Sequence, residues 1–172
     1  MWYQSKVSYR LQDNFGKWKS YTEQYLHDAV SFSDVETQIY SVLEGRLTDF
    51  EIKGISLVKF EGVYEPHVGG DFYKVTILTE DTIEDKKSNS AHLVAAADVV
   101  DAERRTEKYM SGWLSNNTII AVVKSPILGV WHPFSEDWQN DFKSRQADLA
   151  DSGRESADVN QMNIPFGEPV EA

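Results

Sequence analysis

Aromatic and basic side chains alternate along the first strand-like segment of the sequence. Between residues 2 and 10 a period-two pattern places Trp2, Lys6 and Arg10 on one face, as in a half-buried β-strand. A related segment at 72–79 and the hairpins that follow add further rings and lysines. Rings stack on unpaired bases for about 1–3 kcal/mol each, and lysine and arginine follow the phosphates. The pattern predicts a sheet face that binds single-stranded DNA, or RNA. The candidate nucleic-acid-binding residues are Trp2, Lys6, Arg10, Lys17, Trp18, Lys19, Phe72, Lys74, Lys86 and Lys87.

The composition limits how such binding can work. The chain has 172 residues with 17 Lys+Arg against 28 Asp+Glu, a formal net charge of -11. An acidic protein lacks a broad electrostatic footprint for nucleic acid, so a local basic stripe must suffice. The other explanation for Trp2 and Phe72 is that they pack under the C-terminal segment or at an interface between two copies.

Residues for catalysis and metal binding are scarce. The absence of cysteine excludes thiolate zinc sites, iron–sulfur clusters and thiol nucleophiles. The histidines, His27, His67, His92 and His132, show no metal-ligand spacing. We therefore expect that the protein is not an enzyme and has no catalytic residue, no metal and no cofactor. An enzyme with an unfamiliar site is the third alternative, after nucleic-acid binding and protein binding.

The C-terminal segment differs in character from the rest of the chain. Residues 132–172 hold nine acidic and three basic side chains and repeat no apolar face, which predicts an acidic flexible tail. Its segment Ile164-Pro165-Phe166 resembles the apolar tip of bacterial single-stranded-DNA-binding proteins. The resemblance implies docking on replication or repair proteins. In that family the phenylalanine carries the terminal carboxylate, whereas here Gly167 follows it.

The remaining sequence is internally duplicated. Residues 25–64 align with 92–131, and Asp34/Asp101, Gly45/Gly112 and Gly62/Gly129 are among the identical pairs. Each half has the pattern strand–strand–helix–strand, with Ser33 and Glu36 as a capping box in the first. The predicted units are a first ββαβ repeat, a linker, a second repeat and the tail, at 1–64, 65–71, 72–131 and 132–172.

We expect an α+β fold whose mainly antiparallel sheet carries two helices on one side. The other sheet face would then be open to a ligand. The first residues lack an apolar signal core and no run reaches the length of a membrane span, so we expect a soluble protein of the cytoplasm (the host cytoplasm if a phage encodes it). No membrane contact is expected; a homo-oligomer is compatible with the pattern.

Three segments resemble a domain of unknown function common in Bacteroidetes and their phages. They are the opening Met1-Trp2-Tyr3, residues 25–36 and residues 93–96. This resemblance implies a phage or bacterial source and no particular activity. Together with the aromatic–basic face and the acidic tail, it favours a single-stranded-DNA-binding protein of a replication or recombination system. The alternative is a protein–protein adaptor or inhibitor that mimics nucleic acid and binds none.

Overall fold

The structure, a computed structural model, describes residues 1–43, 47, 49–65, 70–81, 83–132, 144, 147 and 148. Within these residues it contains two helices and eight strands, and the predicted α+β class is confirmed. In chain order the elements are β1 (Trp2–Gln12), β2 (Trp18–Asp28), α1 (Phe32–Leu43), β3 (Phe50–Val58), β4 (Gly62–Tyr64), β5 (Asp71–Asp81), β6 (Lys86–Ala96), α2 (Val99–Met110), β7 (Asn116–Lys124) and β8 (Ile127–Trp131).

The strands follow the period-two pattern of the sequence. In β1 the side chains of Tyr3, Val7 and Tyr9 are buried, whereas Lys6 and Arg10 on the opposite face are exposed. Helix α1 covers the buried face of β1, and this packing explains why the larger apolar side chains point to that side.

The strands form two four-stranded sheets that exchange their last strands. The first sheet has the order β3-β1-β2-β8 and the second has the order β4-β6-β5-β7. Strand β8 runs parallel to β2, and β4 runs parallel to β6, so each half of the chain completes the sheet of the other half. The predicted pattern strand–strand–helix–strand allows the first half one strand after its helix, and this is wrong: the chain leaves the first sheet after Val58 and enters the second at Gly62. Similarly, Pro126 separates β7 from β8.

Both helices begin with the same arrangement of side chains. In α1 the Ser31 Oγ accepts a hydrogen bond from the Asp34 amide at 3.2 Å, and Asp34 Oδ2 accepts one from the Val30 amide at 3.1 Å. The predicted cap at Ser33 is therefore wrong by two residues. In α2 the Asp98 Oδ1 accepts from the Asp101 amide at 2.8 Å. These contacts satisfy amides that a helix leaves unpaired at its start.

Each helix covers the outer face of its own sheet, so the expected arrangement of two helices on one side is corrected. Helix α1 packs through Val35 and Ile39 against the first sheet, and α2 packs through Ala102 against the second. The inner faces meet in an apolar cluster that includes Leu26 and Phe72. Apolar area removed from water is worth roughly 25 cal/mol per Å², which favours closing this end of the predicted open face.

Candidate functional site

Two of the three rings expected to stack on bases lie at the contact between the sheets. Phe72 is only 8% exposed, and Trp2 is half-buried beside the same apolar cluster. Trp2 also meets the His132 ring edge-on, with centroids 5.9 Å apart. Phe72 is therefore a core residue that no base can reach; the predicted open face is closed here by the protein itself.

Most of the predicted nucleic-acid-binding cations lie beside carboxylates. Lys19 Nζ is 3.6 Å from Asp13, and Arg10 is 3.8 Å from Asp49. In the second hairpin, Lys86 Nζ lies 2.6 Å from Glu84 and Lys87 Nζ lies 2.5 Å from Glu80. The Asp13 side chain is largely buried, whereas the other three pairs are exposed and contribute little stability, about 0–1 kcal/mol. All four reduce the positive potential that attracts phosphates. Among the described residues, no ion pair is formed by Lys6, Lys17 or Lys74.

A smaller aromatic–basic surface remains on the first hairpin. The Arg10 guanidinium lies over the Trp18 ring, 5.5 Å from its centroid, and Trp18 is 46% exposed. The pairing of Arg10 with Ser20 and of Gln12 with Trp18 places both side chains on the inner face. We call Lys6, Arg10 and Trp18 the hairpin face, which offers one ring and two cations to a ligand.

A groove lies between α1 and the edge strand β3. Its volume is about 490 Å³, within the range of roughly 300–1,000 Å³ found for ligand clefts. We call it the α1–β3 groove; its lining residues are Phe32, Glu36, Tyr40, Phe50, Glu51, Ile52, Gly54 and Ile55. A second cavity of about 330 Å³ shares Phe50 and Glu51 with it and extends to Arg10 and Asp49.

Two aromatic rings of the groove each contact a neighbouring ring on one side and are exposed to solvent on the other. Phe32 contacts the buried Tyr3 ring edge-on at a centroid distance of 5.0 Å and is 51% exposed. Tyr40 meets Phe50 edge-on at 5.3 Å and is 50% exposed. A ring whose position is set by neighbours can bind an apolar or cationic group with little loss of side-chain entropy.

The second half of the molecule builds the same scaffold without these rings. The register is the same in both halves, because Val7 pairs with Ile52 and Ile77 pairs with Ile119, each beside a bulge. Residues at the same distance along the chain from these pairs, or from the helix caps, therefore occupy equivalent positions in the two halves. The residues equivalent to Phe32, Tyr40 and Phe50 are Val99, Glu107 and Asn117. The fold therefore forms without aromatic side chains at these three positions.

The structure also contains a buried polar cluster that the sequence analysis does not predict. Ser5 Oγ lies 2.7 Å from His27 Nε2, and Gln38 Oε1 lies 3.1 Å from His27 Nδ1. Burial lowers the pKa of His27 to about 4, so the ring is neutral. Ser5 and His27 are both 0% exposed, and no substrate can reach them. The cluster resembles a nucleophile–base pair in its atoms, but its burial makes it structural.

Comparison with known families bears on both surfaces. The model of a family described as a domain of unknown function, DUF4494, matches residues 1–134. The chain belongs to this family. The match includes β1 to β8, the hairpin face and the α1–β3 groove, so these are features of the DUF4494 domain of this chain. A search of curated proteins finds no match.

The described part of this DUF4494 chain offers neither a membrane-crossing helix nor a metal cluster. Neither of the helices in this part combines the length and apolar character that a membrane crossing requires. No group of three or more His, Asp or Glu side chains among the same residues is arranged to hold a metal ion. The predicted tip Ile164-Pro165-Phe166 and the predicted tail lie outside the described residues, apart from isolated positions.

Proposed function

We propose that the DUF4494 domain is a protein-binding module whose α1–β3 groove takes an extended segment of a partner protein. The observation that carries this proposal is the pair of half-exposed rings, Phe32 and Tyr40, at a groove whose scaffold recurs in the second half without them. Aromatic anchors in pockets dominate the binding free energy of many protein interfaces.

The charges around the groove determine the chemistry of the partner segment. Glu36 and Glu51 line the groove, and Asp49 lines the adjoining cavity. Glu51 pairs with Lys53 and Asp49 lies 3.8 Å from Arg10, so among the described residues Glu36 is the groove carboxylate without an ion pair. The whole chain carries a net charge of -11. Complementary charge accelerates encounter and excludes acidic partners. Lysine and arginine also bind over aromatic faces, for about 0.5–2 kcal/mol. The partner segment is therefore basic, with aliphatic side chains between its lysines and arginines.

Selection from a random-peptide library against the immobilised full chain tests this proposal. Enriched peptides are expected to combine Lys or Arg with Leu, Ile or Val. The affinity of a labelled enriched peptide, measured by fluorescence anisotropy, should fall about tenfold in Tyr40→Ala, equal to about 1.4 kcal/mol. Trp18→Ala is the matched control, since Trp18 is 46% exposed against 50% for Tyr40 but lies on the hairpin face. Acidic enriched peptides, or equal binding to Tyr40→Ala, would contradict the proposal.

The second candidate function is the binding of single-stranded nucleic acid by the hairpin face. The observation that favours it is the exposed Trp18 ring beneath Arg10, with Lys6 on the same face. Stacking of one base on Trp18 and contacts of two cations with phosphates would give weak binding that salt abolishes. Lys17 in the hairpin loop adds a third cation near this face.

Anisotropy of labelled oligo-dT and oligo-U at low and moderate salt tests the second candidate. Trp18→Ala should weaken binding about tenfold, and Tyr40→Ala should leave it unchanged, which is the reverse of the expectation for peptides. Absence of binding at low salt excludes the candidate. The docking of replication or repair proteins on Ile164-Pro165-Phe166, and the cytoplasmic location, stay predictions.

A further inference from the structure

Strand β7 lies at an edge of the second sheet, and within the described part of the chain no strand pairs with its outer side. Its inner side is hydrogen-bonded to β5. Its residues 116–123 carry no charge, and Ile120 and Val123 are 49% and 60% exposed. Unpaired backbone amides and carbonyls beside exposed β-branched side chains form a template for another strand.

The equivalent edge strand of the first sheet is protected against strand addition. Strand β3 carries Glu51, Lys53 and Gly54, and the Glu51 and Lys53 side chains form an ion pair on its surface. The positions equivalent to these three residues in β7 are Thr118, Ile120 and Ala121. Charged side chains, and lysine above all, are the usual protection of an exposed edge. The two halves therefore differ at the edge, although their backbones pair in the same way.

The one charge of β7 lies at the end of the strand and is compensated within the chain. Lys124 Nζ lies 2.6 Å from Asp71 Oδ2 on the neighbouring strand. A strand that approaches this edge therefore meets an uncharged surface over most of its length.

We propose that β7 pairs antiparallel with β7 of a second copy of the chain and joins the two second sheets into one. The edge itself favours a second copy, because residues 116–123 carry no charge and two such edges meet without repulsion, whereas two chains of charge -11 repel one another over most of their surfaces. An uncharged edge is where this repulsion is least. Antiparallel pairing of identical edges is two-fold symmetric, so the contact closes after two copies. The residues of the α1–β3 groove lie on the first sheet and α1, so the dimer and the proposed peptide binding can fail independently.

Sedimentation velocity of the full chain over a range of concentrations tests the proposal. The 19.6 kDa chain is expected to reach twice its mass with rising concentration. Ile120→Lys introduces the residue that β3 carries at the equivalent bulged position, and it should raise the dimer dissociation constant at least tenfold. Ile83→Lys is the matched control, because Ile83 is 93% exposed in the second hairpin turn and should tolerate the same charge without effect on dimerisation.

Two additional measurements keep the test decisive. Far-ultraviolet circular dichroism shows whether Ile120→Lys is folded; if it is not, Val123→Ser, which introduces the residue found at position 56 in β3, takes its place. Hydrogen exchange of the β7 amides should slow as the concentration of the unmodified chain rises. A chain that stays monomeric, a dimer that is insensitive to both substitutions, or assemblies larger than two would each overturn the proposal.

Discussion

Ser5 Oγ and His27 Nε2 form a 2.7 Å hydrogen bond in the core between the first sheet and α1. The equivalent positions in the second half hold Val75 and Val94, which are also buried. The same scaffold therefore accepts a polar pair in one half and an apolar pair in the other. The polar pair makes the stability of the first half depend on pH, because a buried imidazole resists protonation.

Acidification is expected to destabilise the protein through His27. Its pKa falls from 6.5 to about 4 in the folded chain, so the unfolded chain binds more protons between these values. The stabilisation is fully present above pH 6.5 and is lost as the pH falls towards 4. At about 1.4 kcal/mol per pKa unit, the loss is roughly 3 kcal/mol. Urea unfolding at pH 7, 5 and 4 measures it.

The double variant Ser5→Val/His27→Val is the control for this pH dependence. Burial also lowers the pKa of His92, so some loss of stability on acidification remains in the variant. The expected result is a smaller difference in the free energy of unfolding between pH 7 and pH 4. An identical pH dependence in the variant and the unmodified chain would show that His27 is not the responsible group.

Gly62 is expected to tolerate no side chain. A Cβ at this position would lie 2.8 Å from both His92 Nδ1 and the Tyr64 ring, inside van der Waals contact. Gly62→Ala should therefore lower the free energy of unfolding by about 1–3 kcal/mol, the usual cost of overpacking. In Gly54→Ala, where a Cβ meets nothing within 4 Å, stability should be unchanged or higher. Equal effects of the two substitutions in urea unfolding would contradict the close approach of His92 and Tyr64 to Gly62.

Removal of the α2 cap is expected to cost about 1 kcal/mol. Asp98→Ala deletes the acceptor of the Asp101 amide, whereas Asp98→Ser retains an oxygen at the same place. Thermal unfolding should show a lower midpoint for the alanine variant and a value near that of the unmodified chain for serine. Equal midpoints for alanine and serine would mean that the side chain of residue 98 does not cap the helix.

Tyr40→Glu is expected to separate ligand binding from stability. Glutamate is the residue at the equivalent position 107 of the second half, and Tyr40 is half-exposed, so the substitution costs at most the edge-on contact with Phe50. Such contacts contribute about 0.5–1.5 kcal/mol. The variant should stay folded in circular dichroism. Because its added carboxylate attracts a basic peptide, the loss of affinity for the selected peptides is measured on Tyr40→Gln, which removes the ring without adding a charge. A stability loss well above this range would assign Tyr40 to the core.

The local structure of each half is predictable from the sequence, because it follows from short-range patterns. The alternation around Val7 indicates the face of β1, and the recurrence of Asp34 at Asp101 marks the first turn of both helices. The cap is predicted two residues too late, because the sequence offers two capping serines. Ser31 and Ser33 are each followed three residues later by a carboxylate, Asp34 and Glu36. Helix α1 uses the earlier serine.

The exchange of β4 and β8 and the closure of the inner faces are not predictable in this way. The partner of a strand depends on contacts far along the chain, and Gly62 or Pro126 marks only a break. The prediction of Phe72 as a ligand-binding ring is wrong because period-two alternation does not distinguish solvent from a second sheet. The rings of the groove could have been found from the sequence, because the aligned halves differ there: Tyr40 in the first half is equivalent to Glu107 in the second.

The place of β8 in the first sheet has a consequence for synthesis on the ribosome. Strand β2 ends at Asp28, but its parallel neighbour is completed only at Trp131. The nascent first half therefore emerges before β8 exists, and before the Trp131 ring can pack on Tyr25 at its centroid distance of 4.6 Å. The ribosome must therefore synthesise nearly the entire domain before either half can complete its sheet. The two halves consequently fold together rather than one after the other.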